Sequence, residues 1–455
     1  RRLWLPDDVK TVQLITYVGY NEKHDVYVYS ECGYRHGQRY ELNSDGYLDM
    51  GDIQIKTGLQ QTIRMEIGTE FDGSWIRDYY TAFDLNGMVL LCWWVGTLFA
   101  EQIRGKKGKQ KSWPFLEYTG EQGAGKSAQI QFLWKCCGRD YEGMDPNKST
   151  KRGVLRWLEQ MSNLPAVLLE GDHSNIFSPD ILKNLYDGGE IRTTGVQTGG
   201  SETNNPKFRG GILISQNNEV EGQEATLARI VHCHCTRDHF SPEGELAGDR
   251  LQAMEIAQLS GFLHHVRTIE KELLPVYFQR YKEVRKRFDE HRDLQNRLRQ
   301  THAQVAACAY LLPILFDGFL TIDHARSIED FILTRAKDRQ LRLGADHPII
   351  HHFWETYEFI NNRMTKGDAT SYGLNHSKDP DLIAINLPHY RQMAMYYQQE
   401  AIADKDLKRF LKSSRRYTYK DQKPVKSQIE NRNIYCWIFE SGATSVNMSS
   451  ARGGS

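Results

Sequence analysis

Phe115-Leu-Glu-Tyr-Thr-Gly120-Glu-Gln-Gly-Ala-Gly125-Lys126-Ser127 runs directly into Ala-Gln-Ile-Gln-Phe-Leu-Trp134. The stretch reads as a short buried strand, a glycine-rich turn and a helix. The turn fits G-x-x-x-x-G-K-S without a gap, and its physics is anion capture. Gly120, Gly123 and Gly125 let successive backbone N–H groups curl around a phosphate, and the helix start adds a partial positive charge. Lys126 can reach the β- and γ-phosphates, and the Ser127 hydroxyl can ligate Mg²⁺. A strand before the turn and a helix after it separate this pattern from a chance glycine loop. The expected ligand is a nucleoside triphosphate, ATP with Mg²⁺.

The next acids downstream belong to the same chemistry. Leu164-Pro-Ala-Val-Leu-Leu-Glu170-Gly-Asp172 is an apolar run that ends in carboxylates, as a Walker B strand should. A carboxylate at that strand end can hold Mg²⁺ through water or polarise an attacking water. Glu170 stands first for this role and Asp172 second. Leu169 precedes Glu170 and Gly171 follows it, so the usual pair of adjacent acids is missing and the division of labour stays open.

Farther on, Gly188 to Arg209 reads as two strands around a polar, glycine-rich tip, and Gly211-Ile-Leu-Ile-Ser-Gln-Asn217 as a strand ending in an amide. An amide beside the phosphate loop can orient the attacking water, although Asn-Asn is equally what a plain turn shows. Thr226-Leu-Ala-Arg229-Ile-Val places an arginine just before another apolar strand. Such an arginine can be delivered to the nucleotide of a neighbouring subunit. Within that strand, alternation puts His232 and His234 on one face and Cys233 and Cys235 on the other, so the four cannot converge on zinc.

The remaining sequence sets the frame. A chain of 455 residues is too long for one core. Lys plus Arg equals Asp plus Glu at 58 each, so any nucleic-acid surface must be a local patch. The eight cysteines show no secreted spacing, which points to a reducing cytoplasm. Met88 to Ala100 is apolar but too short to cross a bilayer, and reads as a buried helix. The start at Arg1, without an initiator Met, is expected of a fragment of something longer.

Four domains are expected: a β-rich one at residues 1–84, an α/β nucleotide-binding core at 85–245, an α-helical region at 246–375 and a terminal module at 376–455. The terminal order of strand, two helices and hairpin suits a winged helix. Nine Lys or Arg against two Asp fall between Lys405 and Lys426, among Phe410, Tyr417 and Tyr419. Basic groups there neutralise backbone phosphates and aromatics can stack on bases, with Arg415 and Arg416 as candidates. A merely solvated surface gives the same pattern.

Taken in order, Gly120 to Ser127, Leu168-Leu-Glu170-Gly-Asp172, the hairpin, Ile-Ser-Gln-Asn217 and Thr-Leu-Ala-Arg229-Ile-Val resemble the AAA+ core of replicative helicases carried by phages, plasmids and genomic islands. The set is similar to superfamily 3 and to MCM-like self-loading helicases, which often follow a primase segment. It covers about residues 86–240. The resemblance implies Glu170 as the Walker B acid, Asn217 as sensor 1 and Arg229 as the arginine finger. It implies a homo-hexamer with single-stranded DNA in its channel, gripped by the 190–209 hairpin through Arg192, Lys207 and Arg209. A protein remodeller that never unwinds DNA is the competing class, kept open by the zero net charge. A monomeric small-molecule kinase fits poorly with a trans arginine and large extra domains.

Overall fold

The computed structural model describes residues 11–105, 110–121, 123–169, 184–195, 203–220, 224–236, 241–344, 348–367, 373–400, 402, 407–408 and 410–441. The chain divides into two compact units, Arg1–Gln340 and Leu341–Ser455.

The first unit is built on an eight-stranded sheet. Its strands, in chain order, are β1 (Val18–Asn21), β2 (Val26–Val28), β3 (Cys32–Arg35), β4 (Gln38–Glu41), β5 (Phe115–Gly120), β6 (Met161–Leu169), β7 (Arg209–Gln216) and β8 (Ile230–Cys235). Across the sheet they lie in the order β8-β5-β7-β6-β1-β2-β3-β4. The neighbours from β8 to β1 are parallel, and the rest form an antiparallel extension. Strand β5 is buried along its whole length, as a central strand covered on both faces must be.

Period-two alternation decides what each face meets. Tyr118 of β5 turns to helix α1 of the glycine turn (Lys126–Cys136), where its hydroxyl donates to Gln129 Oε1 at 2.6 Å. Gly211, on the same face of β7, lies against Trp93 and Thr97 of the long helix Trp75–Thr97. That helix is buried from Asn86 to Thr97, as its apolar run predicts. Glu117 and Thr119 point to the opposite face, together with His232 and His234 of β8. Both histidines lie at Thr119 Oγ1, at 2.7 and 2.9 Å, while Cys233 and Cys235 are buried. All eight cysteines are free thiols.

The N-terminal strands differ from the expected separate layer. Val18 and Gly19 pair in parallel with Met161 and Ser162, so the early strands extend the sheet of the nucleotide core. The physical reason is the open edge of β6, whose unpaired N–H and C=O groups need a partner strand. The expected boundary at residues 84/85 falls inside the long helix, at a kink where Asp84 takes φ 46°. Helices expected between 246 and 375 fall partly in each unit.

The second unit contains the helix Pro348–Gly367, the strand Leu382–Ile385, the helix Leu387–Tyr396 and the strands Tyr419–Lys426 and Asn433–Glu440. The last strand is central in an antiparallel three-stranded sheet, flanked by the other two. Phe353, Trp354 and Tyr357 of the first helix pack with Trp437 and Phe439 of the sheet. Trp354 Nε1 donates to Ser414 Oγ at 2.8 Å, which satisfies its one buried donor. No described helix is long and apolar enough to cross a membrane.

Candidate nucleotide-binding site

The glycine turn leaves β5 at its C-terminal end. Gly120 has φ 150° and Gly125 has φ 78° immediately before α1. A Cβ on Gly120 would stand 2.2 Å from the Cys235 carbonyl oxygen, so only glycine lets β5 run this close to β8. Gly123 and Ser127 are exposed and Lys126 is half-buried, so the N-terminus of α1 opens to solvent behind the lysine.

Lys126 Nζ donates to the carbonyls of Gly120, at 2.5 Å, and Glu121, at 3.0 Å, and to Asn217 Oδ1 at 3.3 Å. Among the described residues these partners are all neutral oxygens. Burial holds the ammonium below its usual basicity. A half-buried cation at a helix N-terminus, with only neutral oxygens around it among the described residues, favours an anion, and a phosphate has the matching charge and acceptors. The donor set therefore fits a nucleotide phosphate chain.

Asn217 reaches Lys126 because β7 neighbours β5. Gln216 pairs with Thr119, so the residue after it emerges beside the glycine turn. Sequence alone places Asn217 only at a strand end; the parallel pairing brings it to the lysine. Glu170 and Asp172 lie outside the described residues. Ser127 is the described side chain that could ligate Mg²⁺.

Arg229 sits at the other end of the sheet. Ile230 pairs with Phe115 and Cys235 with Gly120, so about 16 Å of strand separates Arg229 from the glycine turn. Its guanidinium lies 5.4 Å from the centre of the Tyr186 ring, with Arg297 5.5 Å from the same ring. It also donates to the Ala225 carbonyl. Burial, and then the charge of Arg297, hold it below its usual basicity. Neither Tyr186 nor Arg297 stands out in the sequence, since no local pattern joins residues so far apart.

The hairpin expected at 190–209 is present at its base, where Thr194 pairs with Asn204 and Gly195 with Thr203. Residues 196–202 lie outside the described residues. Arg192 is tied to both oxygens of Glu159, and Arg209 lies over the Tyr17 ring at 4.2 Å. Lys207 is exposed. In the second unit Arg415 and Arg416 are exposed, and Arg416 donates to Glu358 at 2.6 Å.

Glu117 is the site-related residue that sequence reading passed over. It is fully buried in β5, three positions before Gly120. Its signal was an acid in the middle of an apolar strand.

No family model and no curated protein matches the sequence. Among solved structures, the chain is similar to the active helicase Cch of SCCmec type IV, with a TM-score of 0.54 and 12% identity over 95% of this chain and 80% of that one. Matches to the NrS-1 C-terminal region (TM-score 0.28, 9% identity, 91% and 96% covered) and to a JCV helicase (TM-score 0.20, 11% identity, 62% and 71% covered) are too distant to carry weight. This chain shares the mixed α/β, parallel-sheet fold of a helicase.

Proposed function

We propose that the chain is an ATP-dependent DNA helicase or translocase of the AAA+ kind, working as a homo-hexamer in replication of a mobile element. The observation that carries this is the contact between Lys126 and Asn217 at the C-terminal end of neighbouring parallel strands. Open parallel sheets bind ligands at that end. The strand order around β5 and the helicase fold support it.

In this reading the N–H groups from Gly123 to Ser127 and the Lys126 ammonium bind the phosphates. Ser127, with Glu170 and Asp172, holds Mg²⁺, and Asn217 orients the water. ATP supplies the phosphoanhydride whose hydrolysis drives movement. Arg229 is too far from its own glycine turn to serve it, so it serves a neighbouring copy. The second unit, with its helix, strand, helix and hairpin order, is a winged-helix module for DNA, and the protein works in the cytoplasm.

A specific observation favours a second reading. Arg192 and Arg416, both candidates for DNA contact, are already paired with Glu159 and Glu358. A protein remodeller would keep such pairs and have no need of DNA. The test is the ATPase rate with and without single-stranded DNA, across protein concentration and at fixed salt. Stimulation with a cooperative rise supports the helicase; a DNA-indifferent rate moves the reading to the remodeller.

A further inference from the structure

On the face of the sheet away from α1, one acid and one arginine are buried together. Glu117 of β5 is fully buried and Arg339 is 2% exposed. Arg339, in the helix Ile322–Gly344, places Nη2 2.5 Å from Glu117 Oε2. The other Glu117 oxygen accepts the backbone N–H of Val220. Arg339 Nη1 stands 3.7 Å from Glu219 Oε2, which in turn lies 3.7 Å from His232 Nδ1.

Glu117, Glu219 and His232 present donor atoms within 4.8 Å of one another, a set that could hold a divalent cation. The Arg339 guanidinium already supplies the positive charge there, and a metal would have to displace it. A buried ion pair adds little to stability over apolar residues of the same volume. Its value here is geometric. Val220 lies three residues after Asn217, whose amide meets Lys126. Anchoring the Val220 backbone to β5 fixes the segment that leaves β7, and with it the amide.

We propose that Arg339 and Glu117 form a positioning pair. Arg339 fixes the Glu117 carboxylate, and that carboxylate holds residues 217–220 so that Asn217 stays on Lys126. This rests on reading the glycine turn as a nucleotide-hydrolysing site. Neither residue touches the nucleotide; both act through Asn217.

The test uses the full chain. Arg339→Met should lower kcat for ATP by about tenfold or more while KM and the affinity for a fluorescent ATP analogue stay within about threefold. Arg339→Lys, which keeps the charge, should recover part of the lost kcat. The double variant Glu117→Leu/Arg339→Met should recover the melting temperature, having no unpaired buried charge, but not kcat, because Val220 still lacks its acceptor. Wild-type kcat in the double variant, or failure of all three variants to fold, makes the pair a structural tie and overturns the proposal. So does a stoichiometric cobalt absorption band in the nucleotide-free wild type that Glu117→Gln abolishes, since the cluster would then be a metal site. Hydrogen exchange across residues 212–220 needs no nucleotide and should accelerate in Arg339→Met. If it does and the wild type hydrolyses no ATP, the reading of the glycine turn fails and the clamp stands. Unchanged exchange overturns the clamp.

Discussion

The two ends of the parallel part of the eight-stranded sheet hold their cations in different ways. At the C-terminal end Lys126 rests on neutral oxygens and opens to solvent through the glycine turn. At the N-terminal end Arg229 and Arg297 crowd the ring of Tyr186. Burial lowers the basicity of Lys126 and of Arg229, and at Arg229 the neighbouring Arg297 adds to it. At Arg229 the carboxylate of Asp187 acts in the opposite sense. The strand between them is too long for one phosphate to meet both within a single chain. On the proposed reading the lysine end binds and the arginine end completes, each for a different copy of the protein.

The largest effect expected is at the lysine. Lys126→Ala should lower phosphate release by about a hundredfold or more, since a charge aimed at the transferred phosphate is lost. Its melting temperature should hardly move, because the side chain is only half-buried. Normal hydrolysis in this variant would erase the distinction between the two ends. A smaller effect is expected at Asn217→Ala, where kcat should fall about tenfold to a hundredfold with KM nearly unchanged, as misplacing the water costs rate and not binding. A rise in KM alone would make Asn217 part of the binding end only.

The smallest effect concerns the layer between the ends. Burial pushes His232 down to about 2 and His302 down to about 3. Folded, both stay neutral, whereas unfolded they titrate near 6.5. The unfolded chain thus binds more protons below that pH. The stability from keeping these rings neutral is complete above about pH 6.5 and is lost as pH falls toward 3, at about 1.4 kcal/mol per pH unit for each ring. Denaturant unfolding of the first unit at pH 7 and pH 5 should show the loss, and His302→Gln should remove about half of it. An unchanged midpoint would mean that the rings titrate normally.

What the sequence made legible follows from how local each feature is. The glycine turn is eight residues with their own geometry, and strand, turn and helix stand where G-x-x-x-x-G-K-S implies. Period-two alternation was enough to separate His232 and His234 from the two cysteines. In the second unit the strand Leu382–Ile385, the helix Leu387–Tyr396 and the terminal hairpin stand where their own periodicity places them, while the second of the two expected helices, at Lys405–Leu411, lies partly outside the described residues. The pairing of Val18 with Met161 was not, since alternation marks a strand without naming its partner. Glu117 was hidden for the same reason: its partners, Val220 and Arg339, are remote in sequence and meet it only through the sheet and the helix above it.

The most direct measurement mixes two inactive proteins. On the proposed reading Lys126→Ala lacks the lysine that binds and Arg229→Ala the arginine that completes, so neither should hydrolyse ATP alone. In mixed assemblies, an Arg229→Ala copy keeps its lysine and can take an intact Arg229 from a Lys126→Ala neighbour. The mixture should recover a measurable part of wild-type turnover, greatest near equal proportions. No recovery at any ratio, in assemblies demonstrably mixed, would contradict a site shared between the two ends of neighbouring sheets.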